Sequence, residues 1–212
     1  MYIDKYTSKC KIFEKVPAGS KVLEIGCGSG SLANILTLKK KCRVYCIDKD
    51  AIISSFARGK CIEILNIDIE NTELPYETEA FDRIIIGNAL EHMIEPGQVL
   101  IRLKNYLKED GLLIYSVPNI VNWHSRMTIF FGKFEYEDGT VFDRGHLRFF
   151  TLRSAKRLAI DSGYRIIWLA VTPSIYFYSK NLNFLWDWIA RAWKNLFADE
   201  FIIIAKKGSV NI

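Results

Sequence analysis

Three carboxylates and three histidines stand where they could do chemistry. Glu24 lies two residues ahead of Gly26 in "VLEIGCGSG", where glycines recur at positions 26, 28 and 30. Asp48 closes the apolar run "RVYCID", 20 positions after Gly28 (48 − 28 = 20). Asp68 follows a third such run, "IEILNI". A glycine turn between strand and helix lets the backbone approach a ligand closely. An acid ending the next strand can accept hydrogen bonds from both hydroxyls of a ribose. In a dinucleotide turn a third glycine would fall at Ser31. The turn carries no Lys or Arg to meet a phosphate, so the three acids suit a cationic nucleoside bearing an amino group. Asp48 alone fits a nicotinamide dinucleotide equally well. The histidines are His92, His124 and His146, and histidine is the natural base near neutral pH.

The elements that must position these groups follow from the apolar pattern. Runs at 21–26, 43–48, 62–67, 81–88, 111–117, 164–171 and 201–207 read as strands. Most are apolar throughout, as expected for strands covered on both faces of a parallel sheet. Helical spacing appears in "SLANILTLKKK", in "EPGQVLIRLKNYLKED" up to a stop at Gly111, and in "TLRSAKRLAIDSG", with Thr151 as its N-cap and Gly163 at its end. The alternation predicts an α/β fold, a three-layer Rossmann-like sheet with right-handed crossovers. Asp82 begins its strand, away from the other acids, and reads as structural.

The chain has 212 residues, is 50% hydrophobic and carries a net charge of +5. This suits a single domain over 1–212 with a substantial core; the mildly basic charge falls well short of a dedicated nucleic-acid binder, so no DNA partner is expected and RNA has only weak support. Five cysteines without paired CxxC units read as free thiols in a reducing compartment. The N-terminus has no secretory h-region and no run is long enough to span a membrane, so a cytoplasmic protein is expected. Two long connections interrupt the alternation, an aromatic and polar one at 119–150 and an aromatic helical one at 174–199.

Taken together, the motifs resemble those of the class I S-adenosylmethionine-dependent methyltransferases, in the broad subgroup of small-molecule and quinone-biosynthesis methyltransferases. "VLEIGCGSG" is similar to the first motif of that family, and "CID" to the ribose-binding second motif. "DIENTELPYETEAFDRIIIGNALEHM" resembles the adenine-binding stretch, fourth strand and following segment, and "LKEDGLLIYSVPN" the fifth strand. The likeness covers about residues 20–118. It implies a seven-stranded sheet whose last strand is antiparallel, and S-adenosyl-L-methionine as cofactor. It further implies a cofactor site made of Glu24, Gly26, Cys27, Gly28, Gly30, Asp48, Lys49, Asp68, Ile69 and Asn88. In that set Asp48 holds the ribose, Asp68 and Ile69 meet the adenine, and Asn88 stands near the methionine end.

The acceptor must then be met by what remains. The 119–150 connection reads as a substrate lid, with an acceptor pocket that is aromatic with some basic and histidine groups. "DRGHLRFFT" clusters Arg144, His146 and Arg148. His146, with His92, is expected to take a proton or anchor the acceptor. His124, Arg144 and Arg148 are expected to bind it. Glu91 and His92 also invite a metal reading, because some RNA-terminal methyltransferases carry Glu-x-x-Glu-His. Here Asn88 replaces the first Glu, so no metal is expected. "GNAL" differs from the Asn/Asp-Pro-Pro-aromatic set of enzymes that methylate exocyclic base nitrogens.

The expected activity is methyl transfer, on oxygen, to a small molecule or to a glycan- or lipid-linked acceptor. An RNA methyltransferase and an NAD(P)-dependent oxidoreductase are the alternatives. Residues 182–197 place Leu182, Leu185, Trp186, Ile189, Trp193, Leu196 and Phe197 on one helical face. That face is expected to pack on its own domain or in a homodimer; peripheral contact with a membrane is the other reading.

Overall fold

The computed structural model describes residues 4–174 and 180–208. The elements run α1 (Ser8–Lys15), β1 (Lys21–Ile25), α2 (Ser31–Lys40), β2 (Arg43–Ile47), α3 (Ala51–Ser55), β3 (Glu63–Leu65) and β4 (Phe81–Gly87). A 3₁₀ turn at Leu90–His92 follows, then α4 (Pro96–Leu103), β5 (Leu107–Pro118), α5 (Trp123–Phe130) and α6 (Leu152–Asp161). The chain closes with β6 (Tyr164–Pro173), α7 (Lys180–Ala192), α8 (Lys194–Phe197) and β7 (Ala198–Lys207).

The seven strands form one sheet in the order β3-β2-β1-β4-β5-β7-β6. β7 is antiparallel to both neighbours, and the pairs among β1 to β5 are parallel. The reason the strands are apolar throughout is visible in their alternation. Leu23, Ile25, Ile84, Ile86, Tyr115 and Phe201 face α4 and α6, against Val99, Leu100, Leu103, Ala155 and Ala159. Val22, Val44, Ile85, Ile114 and Ile202 face α1 and α2, against Ile12, Val16, Leu32, Ala33 and Leu36. Each fully buried aliphatic side chain is worth about 1.5–3 kcal/mol relative to exposure.

Three expectations are corrected. The helix expected up to Gly111 ends at Leu103, and β5 begins at Leu107, whose side chain fills the space beside Gly111. Leu107 pairs with Phe81, and the register then shifts before Arg83 meets Leu112. Sheet pairing therefore claims residues whose spacing alone reads as helix.

The helix expected over 182–197 breaks at Trp193 into α7 and α8. Its inward side is only partly the expected one: Trp186, Ile189, Leu196 and Phe197 are half-buried, while Leu185 and Trp193 are exposed. Asn183, Asp187 and Ala190 are buried, whereas Phe184, Leu185, Trp188 and Trp193 are exposed. The cause is a buried ion pair. Lys11 Nζ of α1 donates to Asp187 Oδ1 at 2.8 Å and to the Val171 carbonyl at 2.6 Å, and Arg191 reaches Asp187 Oδ2 at 2.6 Å. A lysine buried on α1 requires a carboxylate, and this requirement turns the polar side of α7 inward. Residues 175–179 of the second long connection, and the side chain of Leu182, lie outside the described residues. Among the described residues, no helix is long and apolar enough to cross a membrane.

Candidate active site

The carboxyl ends of β1, β2, β3 and β4 open on one cleft, a cavity of about 200 Å³. The turn after β1 forms its floor. Gly26 has φ +71°, and a Cβ there would sit 2.6 Å from Ala89 Cβ, so only glycine lets this backbone lie against the loop after β4. Gly30, at φ +70°, packs as closely on Ala57. Asp48 joins the turn to β2: Gly28 N–H donates to its Oδ2 at 2.7 Å and Asp50 N–H to its Oδ1 at 3.0 Å.

Gly26, Asp48, Lys49, Asp68, Ile69 and Asn88 all line the cleft. Asp68 is held by Glu70 N–H and the Asn71 side chain. Asn88, at φ +49°, receives Ser116 Oγ–H at its Oδ1 (2.6 Å) and donates to Glu200 Oε1 (2.7 Å). Glu24, Cys27, Gly28 and Gly30 are absent from the lining. Glu24 is buried on the α2 side of the sheet with one carboxylate oxygen unpartnered. Burial pushes its pKa up to about 8, against the pull of Lys9 and the Ala33 amide. These four residues shape the turn from behind. Ile47, Ile67 and Met93 were missed as cleft walls. Strand-end apolar residues carry no sequence mark that separates a ligand wall from core.

The cleft fits the nucleoside expected of it. Its isoleucines offer apolar walls, its acids offer acceptors, and among the described residues Lys49 is the one Lys or Arg that lines it. The close approach of Gly26 supplies the backbone cradle.

A second cavity of about 480 Å³ lies beside the first and shares Asn88 and His92 with it. The 119–150 segment walls it. Within that segment Asn122 caps α5 through Ser125 N–H, and the backbone of Leu147 and Arg148 donates to the Glu91 carbonyl at 2.8 and 3.0 Å. The lining holds five carboxylates, those of Glu91, Glu137, Asp143, Asp199 and Glu200, together with all three histidines. Among the described residues, the lining holds no Lys or Arg, and Phe142 is its one aromatic ring apart from the histidines. Of the expected groups the described lining holds Phe142 and the histidines, and to these it adds the five carboxylates.

The two arginines expected there face elsewhere. Arg144 is exposed and lies 3.8 Å from Asp138. Arg148 donates to the Ile94 carbonyl and fastens the 119–150 segment from outside. A flexible side chain is drawn to backbone carbonyls and solvent, which a sequence cluster cannot foretell. His124 does line the cavity. Asp82 sits at the other end of the sheet, accepting from Lys21 N–H and Lys108.

His92 and His146 are neighbours, with ring centres 4.8 Å apart. Their Nδ1 atoms lie 2.9 Å from the Gly145 carbonyl and 3.0 Å from the Val141 carbonyl. A carbonyl only accepts, so each Nδ1 carries a proton, and in the neutral ring Nε2 is the nitrogen with the lone pair. Glu91 is 1% exposed, and burial, with Glu200 nearby, raises its carboxyl to about 8.

Fold and site together are those of the class I S-adenosylmethionine-dependent methyltransferases. The chain belongs to the MetW family, whose model, described as methionine biosynthesis protein MetW, matches residues 7–204. It is 31% identical over 116 residues to (S)-coclaurine N-methyltransferase of Papaver somniferum, covering 52% of this chain and 32% of that protein. It is 32% identical over 109 residues to ubiquinone biosynthesis O-methyltransferase of Glaesserella parasuis, covering 48% and 46%. The chain thus spans less than half the length of these curated relatives. Among solved structures, a methyltransferase in complex with the Trm112 methyltransferase activator of Haloferax volcanii superposes with a TM-score of 0.70 at 14% identity, covering 98% of this chain and 91% of that one. A SAM-dependent methyltransferase from Archaeoglobus fulgidus gives 0.65 at 18% identity, covering 93% and 89%.

Proposed function

We propose that this protein transfers the methyl group of S-adenosylmethionine to an oxygen of a small or carrier-linked acceptor held in the second cavity. The observation that carries the reading is the junction of the two cavities at Asn88 and His92. S-adenosylmethionine supplies an activated methyl for in-line displacement. The chain supplies placement: Asp48 and Asp68 hold the nucleoside, and Asn88 stands at the wall between donor and acceptor. Positioning of two reactants is the larger part of such catalysis. His92, at the junction, and His146, beside it, each present a lone pair that can take the acceptor's proton.

The acidic lining narrows the acceptor. The carboxylates of Glu137, Asp143, Asp199 and Glu200 disfavour a phosphate backbone such as that of RNA, and they accept hydrogen bonds from a polyhydroxylated acceptor. The same lining supports a second reading, transfer to the nitrogen of a cationic amine. A lipid- or glycan-carried acceptor is compatible with the outward apolar side chains of α7 and of the lid, including Phe130 and Phe131.

Calorimetric titration with S-adenosylhomocysteine and with NADH tests the cofactor. Tight NADH binding without S-adenosylhomocysteine binding would sink the reading. Transfer of labelled methyl into panels of hydroxylated and amine acceptors, read by mass spectrometry, separates oxygen from nitrogen.

A further inference from the structure

We propose that Glu91, His92 and His146 form a divalent-cation site at the junction of the two cavities. One potential ligand atom from each of these residues lies within 4.8 Å of the other two. Ligands about 2.0–2.2 Å from a shared ion sit roughly 3–3.5 Å from one another, so small side-chain rotations close the set.

Four observations support a site over a chance cluster. First, both histidines are prepared as ligands. Each Nδ1–H is tied to a backbone carbonyl, which fixes the ring and leaves Nε2 as the lone-pair nitrogen. Outer hydrogen bonds of this kind are what orient histidines around metals. Second, Glu91 Oε2 is buried without a hydrogen-bond partner. A buried carboxylate oxygen left unsatisfied is costly unless something positive meets it. Third, the lid that brings His146 is fastened to Glu91 itself, through the amides of Leu147 and Arg148 on its carbonyl. Fourth, the surroundings favour positive charge: Glu200 Oε2 is also buried and unpartnered, and Glu137, Asp143 and Asp199 line the same cavity.

The sequence argued against a metal because Asn88 stands in place of an acid. In the fold Asn88 is occupied by Ser116 and Glu200, and the third ligand comes from the lid. Two imidazoles and one carboxylate suit Mn²⁺, Fe²⁺, Co²⁺ or Zn²⁺ better than Ca²⁺ or Mg²⁺, which prefer oxygen ligands. Three protein ligands leave positions open for substrate. This extension rests on the methyl-transfer reading: with an ion held, His92 and His146 would serve as ligands in place of proton acceptors, and the ion would lower the pKa of an acceptor hydroxyl at an open position, whose proton would pass to solvent.

The test begins with protein stripped by a chelator and then titrated with Co²⁺, following the visible absorption bands, and with Mn²⁺, following its paramagnetic resonance. One ion per chain is expected. Glu91→Gln and His146→Ala should each weaken binding by roughly tenfold or more, while His124→Ala, in the same cavity but outside the set, should not. S-adenosylhomocysteine titration and circular dichroism on every variant report cofactor binding and folding. Because Glu91 is buried, His146→Ala is the deciding variant if Glu91→Gln unfolds. No ion uptake by wild type, or equal uptake by His146→Ala, overturns the site. If ion uptake fails while S-adenosylhomocysteine binds, the methyl-transfer reading stands alone. If the ion binds and S-adenosylhomocysteine does not, that reading falls and the metal site remains.

Discussion

Gly28 donates its amide hydrogen to Asp48 Oδ2 at 2.7 Å, so the turn after β1 and the acid ending β2 form one unit. The carboxylate both shapes the turn and faces the cleft. Its loss removes a charge-assisted hydrogen bond, about 1.5–3 kcal/mol, and a nucleoside acceptor. Asp48→Ala should remain folded by circular dichroism and bind S-adenosylhomocysteine roughly tenfold or more weakly. Wild-type affinity by calorimetry would refute the role.

Gly26 tests the cradle. Alanine there adds left-handed strain to a 2.6 Å contact with Ala89. Gly26→Ala should cost about 1–3 kcal/mol in chemical denaturation and weaken cofactor binding. Gly28→Ala carries strain at φ +52° but meets nothing nearer than 3.9 Å, so its cost should be smaller. Equal losses in the two variants would contradict the close approach.

Glu24 predicts a pH dependence. Burial raises its carboxyl from 4.5 to about 8 in the folded chain. Between these values the native state holds a proton that the unfolded state has released. Glu24 therefore contributes stability below about pH 4.5, and this contribution is lost as pH rises toward 8, at up to about 1.4 kcal/mol per pH unit. Denaturation of wild type and Glu24→Gln across that range should show a shallower decline for the variant. Parallel curves would remove Glu24 as the source.

Lys11 and Asp187 hold α7 on the body of the protein. Lys11→Met removes one of the two cations that meet the buried Asp187 carboxylate among the described residues, and should cost roughly 3 kcal/mol. The double variant Lys11→Met/Asp187→Leu should recover most of that loss. Failure to recover, seen in urea denaturation, would mean that the pair is not what orients α7.

His146→Ala should lower turnover far more than cofactor affinity, because His146 lines the second cavity only. With a true acceptor in hand, wild-type turnover would reduce His146 to a lid-packing residue.

The sequence by itself determined the sheet and the cleft at the carboxyl ends of its strands. Strands buried on both faces are written as continuous apolar runs, and a turn that must adopt positive φ against a neighbouring loop is written as glycine. Asp48 and Asp68 could be placed because strand ends in such a sheet converge on one edge. Tertiary structure alone decided the rest. Where α4 yields to β5 depends on pairing between Phe81 and Leu107, which local spacing does not encode. Which side of α7 turns inward depends on a lysine on α1. The acidity of the second cavity and the meeting of Glu91, His92 and His146 depend on how the lid is fastened to the loop after β4. Periodicity reports whether a residue is buried by its own element; it carries no record of which distant charges and lone pairs the folded chain brings face to face.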